Sequence, residues 1–283
     1  MRRFADKVAV ITGAGSGIGR ALALDLAGRG ARLAISDIDQ ERIDETVALC
    51  AERGAEARGY RLDVADRAAV LAHADEVVGE FGRANLVINN AGVALAAPIL
   101  EMKWDDLEWV MNIDFWGVVH GTKAFLPHLI ESGDGHVVNI SSVFGLVGVP
   151  TQSAYNAAKF AVRGFTEALR QEMAIGRYPV GVSCVHPGGV RTNIARDART
   201  NSEFESSSMR ERFDQTMPTT PAKAAQIILR GVRANHPRIL VGPDAYAFDA
   251  TARVLGPFYQ RVTAGGARLA GFFGVDIPGA RKR

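Results

Sequence analysis

The chain has 283 residues, enough for a large core and one or two domains, and 33 basic against 31 acidic residues leave a net charge of +2 that argues against a nucleic-acid partner. Cys50 and Cys184 are its two cysteines, each in an expected helix or buried strand, so no disulfide framework and a reducing, cytoplasmic location are expected; no CxxC supports metal ligation by them. No stretch reaches ~18 uninterrupted apolar residues, so no membrane span is expected, and MRRFADKVAV lacks the long apolar region of a signal peptide.

Lys7 to Thr12 (KVAVIT) is a short apolar run of the kind buried on both faces of a parallel sheet. Gly13-Ala14-Gly15-Ser16-Gly17-Ile18-Gly19 comes next, and Arg20 to Ala27 has helical periodicity. In such a strand–turn–helix unit the glycines admit a pyrophosphate to the backbone N–H groups. The helix N-terminus adds the positive end of its dipole. The spacing is GxxxGxG, on Gly13, Gly17 and Gly19, rather than GxGxxG. Ala31 to Ser36 reads as a second strand ending at Asp37. A carboxylate there accepts hydrogen bonds from both adenosine ribose hydroxyls and repels a 2′-phosphate. Neither Ser16 nor Ile38 supplies a cation for that phosphate, so NAD is expected over NADP. The competing reading of Asp37 is an ordinary turn residue.

A helix is expected over Gln40 to Arg53, then a third strand over Ala55 to Leu62 that ends in Asp63-Val64. Asp63 suits either a bond to an adenine amino group or a helix cap. Ala65 to Phe81 is helical, and a fourth strand, Leu86 to Asn89, runs into Asn90-Ala91-Gly92. These small and amide side chains let a cofactor lie against the strand end. The β–α alternation predicts an α/β fold with a doubly wound parallel sheet. His136 to Ser142 reads as a further strand, which leaves Ser142 at its C-terminal end, where ligands bind in such sheets. In a helix running from Ala154, Tyr155 and Lys159 lie one turn apart on one face. An ammonium beside a phenol favours the phenolate; lowering a tyrosine from ~10 to ~7 takes about 4 kcal/mol. The pair would then serve as general acid/base for an alcohol and its carbonyl. YxxxK is also a common chance pattern on exposed helices.

Taken in order, Thr12-Gly13-xxx-Gly17-x-Gly19, Asp63, Asn89-Asn90-Ala91-Gly92, Asn112, Ser142, Tyr155, Lys159 and Pro187-Gly188 resemble the motifs of the short-chain dehydrogenase/reductase family. The match covers about two thirds of the chain. It implies a Rossmann-type sheet of about seven strands with helices on both faces. Tyr155 resembles that family's acid/base and Lys159 the residue that lowers the tyrosine pKa and bonds the nicotinamide ribose. Ser142 resembles the group that holds the reacting oxygen. Asn112, within VMNIDFWG, resembles the asparagine whose helix distortion holds a relay water; read without the family, it is a helix-bending amide. Pro187-Gly188, with Val190 and Thr192, resembles the segment at the nicotinamide end, from which Gly189 departs. His186 is read as structural.

Asn193 to Met217 is polar and serine-rich, and reads as a substrate lid or as a solvated loop. Pro221 to Ala234 is a helix and Arg238 to Val241 a last strand. Residues 1–242 are expected to form one catalytic domain, and 243–283 a helical extension. Three readings of Pro243 to Gly274 compete: a cap on the substrate pocket, a subunit interface, or a peripheral membrane contact. Apolar pocket candidates, Ala94, Leu95, Val143, Phe144, Leu146 and Val149, suit a hydrophobic alcohol or ketone, with Gly188 also expected against it. No His/Asp/Glu cluster has metal-ligand spacing, so no metal is expected. The resemblance implies a homodimer or homotetramer. The alternative from another class is a non-catalytic NAD(H)-sensing or scaffold protein on the same fold.

Overall fold

The computed structural model describes residues 1, 3–194, 197–200 and 217–270. Strand β1 (Val8–Thr12) is buried at all five positions, as its unbroken apolar run requires of an inner parallel strand. Around it alternate α1 (Gly17–Ala27), β2 (Arg32–Asp37), α2 (Gln40–Ala51), β3 (Ala57–Arg61), α3 (Arg67–Phe81) and β4 (Leu86–Asn89). Next come β5 (Leu95–Ala96), α4 (Trp104–Met111), a π-helical turn (Asn112–Trp116) and α5 (Gly117–Glu131). The second half holds β6 (Gly135–Ile140), a 3-10 turn (Val143–Gly145), α6 (Ser153–Ile175), β7 (Val180–Pro187) and β8 (Arg199–Thr200). It closes with α7 (Pro221–Arg233), β9 (Arg238–Val241), α8 (Pro243–Leu255), a 3-10 turn (Gly256–Phe258) and α9 (Tyr259–Ala270).

Seven strands form one sheet in the order β3-β2-β1-β4-β6-β7-β9, every pair parallel. The order reverses between β1 and β4, and the crevice at such a switch point is where open α/β sheets bind ligands. One face is packed by α1, α2 and α7, through residues such as Leu22, Leu26, Ile43 and Ile228. The other is packed by α3, α5 and α6, through Val77, Phe125, Leu129 and Leu169. A second, two-stranded parallel sheet pairs β5 with β8 beside the crevice.

Element ends move where side chains decide them. The third strand is shorter than expected, and α3 starts at Arg67 because Asp66 accepts the Ala69 N–H at 3.0 Å. Asp63, weighed as that cap, accepts the Ala65 N–H instead, at 2.9 Å. Strand β6 stops at Ile140, so Ser141 and Ser142 lie beyond it.

Within the sequence expected to form a lid, residues 195, 196 and 201–216 lie outside the described ones. At Arg199, the guanidinium stacks over Trp109, 3.7 Å from the ring centroid, and pairs with Asp106 at 3.0 Å. The extension packs on the rest of the chain. Arg238 of β9 pairs with Asp249 of α8 at 2.8 Å, and the Tyr259 hydroxyl accepts the Gly148 N–H at 2.8 Å. Residues 271–274, also part of that reading, are outside the described ones. Among the described residues no helix is long and apolar enough to cross a membrane.

Candidate active site

The turn between β1 and α1 is built for close approach. Gly13 and Gly17 hold φ of 65° and 53°, which favours glycine at both. A Cβ on Gly13 would lie 2.7 Å from the Ala91 Cα, and one on Gly19 would strike the Gly13 carbonyl. Gly19 is thus buried behind the cradle, while Gly13, Ser16, Gly17 and Ile18 line the open side. Ser16 precedes α1 without a side-chain cap, which leaves the helix's first N–H groups available to an anion. Asn90 clips the turn from β4, its amide donating to the carbonyls of Thr12 (2.9 Å) and Gly13 (3.1 Å).

A cleft of about 390 Å³ runs from this turn along the strand ends. Asp37 closes one end. Its carboxylate accepts the N–H groups of Gly15 (2.9 Å) and Asp39 (3.2 Å). Arg42 shares that end, paired with Asp39 at 3.1 Å and with Asp197 at 3.8 Å. Asp63 and Val64 line the floor, followed by Asn90, Ala91 and Gly92. Pro187, Gly188, Val190 and Thr192 line the far wall. The cradle, the uncapped helix start and the carboxylate at the β2 end fit a dinucleotide.

At the other end stand Ser142, Tyr155 and Lys159. Ser142 sits just past β6 with extended backbone, and its Oγ accepts the Phe144 N–H at 3.1 Å. The same hydroxyl is near enough to the Tyr155 phenol to favour its ionised form. His186 of β7 braces Ser142 from behind, its Nδ1 3.0 Å from the Ser142 carbonyl. A carbonyl only accepts, so the proton is on Nδ1, and burial pushes the ring's pKa down to about 4. His186 is neutral and structural. Asn156, one residue past Tyr155, holds the intervening loop: its amide donates to the carbonyls of Phe144 (2.6 Å) and Val147 (2.9 Å).

Lys159 is 3% exposed and faces a carboxylate rather than solvent. Its Nζ is 3.1 Å from Asp114 Oδ2 and 3.3 Å from the Ile140 carbonyl. Asp114 is fully buried, and its Oδ1 accepts the Val93 N–H at 2.8 Å. Burial penalises the ammonium, but Asp114 and Tyr155 outweigh it and hold Lys159 above its usual range. Burial pushes the Asp114 carboxyl up, against the pull of Lys159 and the Val93 N–H. Burial also raises Tyr155; Lys159 and Ser142 oppose the rise and Asp114 adds to it. The direction is therefore opposite to the depression expected from YxxxK: burial outweighs the lysine, and Asp114 adds to the rise.

Asn112 is the sequence candidate that falls elsewhere. It opens the π turn but is exposed and does not line the cleft. Asp114, two residues on, points inward and takes the place facing Lys159. It is the single formal charge between Trp109 and Thr122, the one signal that marked it. Trp109 and Ile113, one helical turn apart, line the cleft with Val93 and Ala94, and neither is distinguishable in the sequence from an ordinary core position. Of the other pocket candidates, Phe144 meets Tyr155 edge-on at 6.1 Å without lining the cleft. Leu95, Val143, Leu146 and Val149 are buried. Gly189 departs from the motif for a local reason. Its N–H donates to Asp244 of α8, and Cβ atoms at 188 or 189 would meet the Asp244 carboxylate or the Met217 sulfur.

Residues 7–203 match the family model of short chain dehydrogenases. SadH of Mycobacterium tuberculosis, which carries the name of an oxidoreductase, is 54% identical over 96% of this chain and 99% of its own. The C alpha-dehydrogenase of Sphingobium sp. is 33% identical over 86% of this chain and 83% of its own. A short-chain dehydrogenase/reductase from Burkholderia phymatum, solved in complex with NAD, superposes with a TM-score of 0.84 at 32% identity. That match covers 90% of this chain and 95% of the other.

Proposed function

The chain belongs to the short-chain dehydrogenase family of oxidoreductases, and on that premise we propose that it interconverts a hydrophobic alcohol and its ketone using NAD(H), with Tyr155 as general acid/base. The observation that carries this reading is the Ser142–Tyr155 hydroxyl pair beside buried Lys159 at the apolar end of the cleft. A bound nicotinamide would supply the hydride chemistry. Tyr155 takes the alcohol proton, or returns it to the carbonyl. Ser142 donates a hydrogen bond to the reacting oxygen and fixes it within reach of the phenol. Lys159 holds the ribose of the cofactor and stabilises the phenolate. Trp109, Ile113, Val93 and Ala94 supply an apolar wall, which suits a hydrophobic substrate.

For the cofactor, Asp37 supports NAD over NADP, since its carboxylate closes the ribose end and the nearby Arg42 is already paired. Asp63 would bond the adenine. Val190, Thr192 and the Pro187-Gly188 segment would bear on the nicotinamide end. Exposed Trp116, at the end of the π turn that leads into α5, and Phe160 of α6, at 46% and 40%, support assembly as a homodimer or homotetramer through this face. The test is a screen of hydrophobic secondary alcohols with NAD or NADP, and of ketones with the reduced forms, monitored at the nicotinamide absorbance band. Turnover of one substrate class with NAD is expected. Turnover confined to sugar or acidic substrates, or to NADP, would contradict the proposal.

A further inference from the structure

The residue that faces Lys159 is a carboxylate. Asp114 lies in the π turn, fully buried in an otherwise apolar stretch. A buried charge is expensive unless paired and hydrogen-bonded, and Asp114 is both, through Lys159 Nζ at 3.1 Å and the Val93 N–H at 2.8 Å. The backbone closes over the pair at Gly92. A Cβ there would sit 3.3 Å from Asp114 Oδ1 and 3.4 Å from Lys159 Nζ.

We propose that Asp114 is a positioning residue for the acid/base pair: its carboxylate fixes the Lys159 ammonium and sets the pH range over which Tyr155 works as base. This rests on the role of Tyr155 proposed for the reaction. A lysine held only by carbonyls would present a full positive charge to the phenol. Paired with Asp114, it presents a dipole. The other groups facing the site leave that balance alone. On β7, the Cys184 thiol is pushed up to about 12 by burial, and His186 is neutral. The last residue of β6, Ile140, offers a carbonyl, and Ser142 beyond it a hydroxyl. Asp114 is thus the one counter-charge to Lys159 in contact with it among the described residues. The chain trades phenolate stability at neutral pH for a fixed ammonium, and alcohol oxidation is accordingly tuned to alkaline conditions.

Asp114→Asn keeps the shape and an acceptor for Lys159 while removing the charge. The acid limb of the kcat/KM profile for alcohol oxidation should move down by about one pH unit, the scale of one like charge removed near the phenolate. Phenolate absorbance, taken as the difference between each protein and its Tyr155→Phe counterpart, should titrate at correspondingly lower pH without need of turnover. Asp114→Ala should lower kcat at every pH, because Lys159 loses its anchor, with Asn restoring it. If the Asn variant does not fold, Asp114→Ser carries the same two readouts. An unmoved limb together with an unmoved phenolate titration overturns the proposal. Absence of turnover in the parent protein would instead refute the proposed alcohol–ketone activity, while the phenolate titration would still judge Asp114.

Discussion

Lys159 stands between the Tyr155 phenol and the Asp114 carboxylate, with the Ile140 carbonyl as its further acceptor. Tyr155, Lys159 and Ser142 were legible in the sequence because four-residue helical spacing and the end of a β-branched strand fix where such groups point. Asp114 was not. It stands four residues past buried Val110, on the inward face of this helical stretch, but a single carboxylate in an apolar run does not show in the sequence which cation it meets. Asp37, read either as the ribose-binding carboxylate or as a turn residue, is directly testable. Asp37→Ala should relax the preference for NAD over NADP by at least about tenfold, the worth of roughly 1.4 kcal/mol of lost discrimination. Paired kcat/KM values with the two cofactors measure it, and an unchanged ratio would make Asp37 a turn residue only.

Among the elements, the β–α order and the glycine turn could be read from hydrophobic runs and glycine placement, since both arise from local sterics. Contacts between distant segments could not. Nothing in PGGV announces that a carboxylate 55 positions later occupies the space beside both glycines. Asp244→Ala should free the 188–192 segment and weaken NAD binding severalfold, with little change in fold, as titration of cofactor fluorescence or heat would show. Asn156 plays the corresponding part on the substrate side. Its two amide donors and its carbonyl, which accepts the Val149 N–H at 3.0 Å, hold the loop after Ser142. Asn156→Ala leaves buried carbonyls unpaired and should cost about 1–3 kcal/mol in denaturant unfolding.

At the scale of the whole molecule, stability carries a pH signature from buried imidazoles. His73 packs between Tyr60 and Phe125, and burial lowers its pKa to about 4. His136 lies at about 3, and His186 at about 4. Their Nδ1, Nε2 or both lack a partner, so a second ring proton would be buried without an acceptor. Each folded pKa is below the unfolded value near 6.5, so the unfolded chain binds more protons between the two. Stability is therefore full above about pH 6.5 and is lost as pH falls toward 4, by about 2 kcal/mol per histidine at pH 5. Thermal melts from pH 8 to 4 should show this decline, and His73→Gln should flatten it.

The seven-stranded sheet brings cradle, carboxylate and hydroxyl pair to the C-terminal ends of its strands, where we propose that hydride transfer takes place with Tyr155 moving the proton. The decisive measurement is Tyr155→Phe assayed beside the parent protein with its best alcohol and NAD. Cofactor affinity should be retained while kcat/KM falls about 10²–10⁴-fold. Near-parental turnover in the phenylalanine variant would contradict that role for Tyr155.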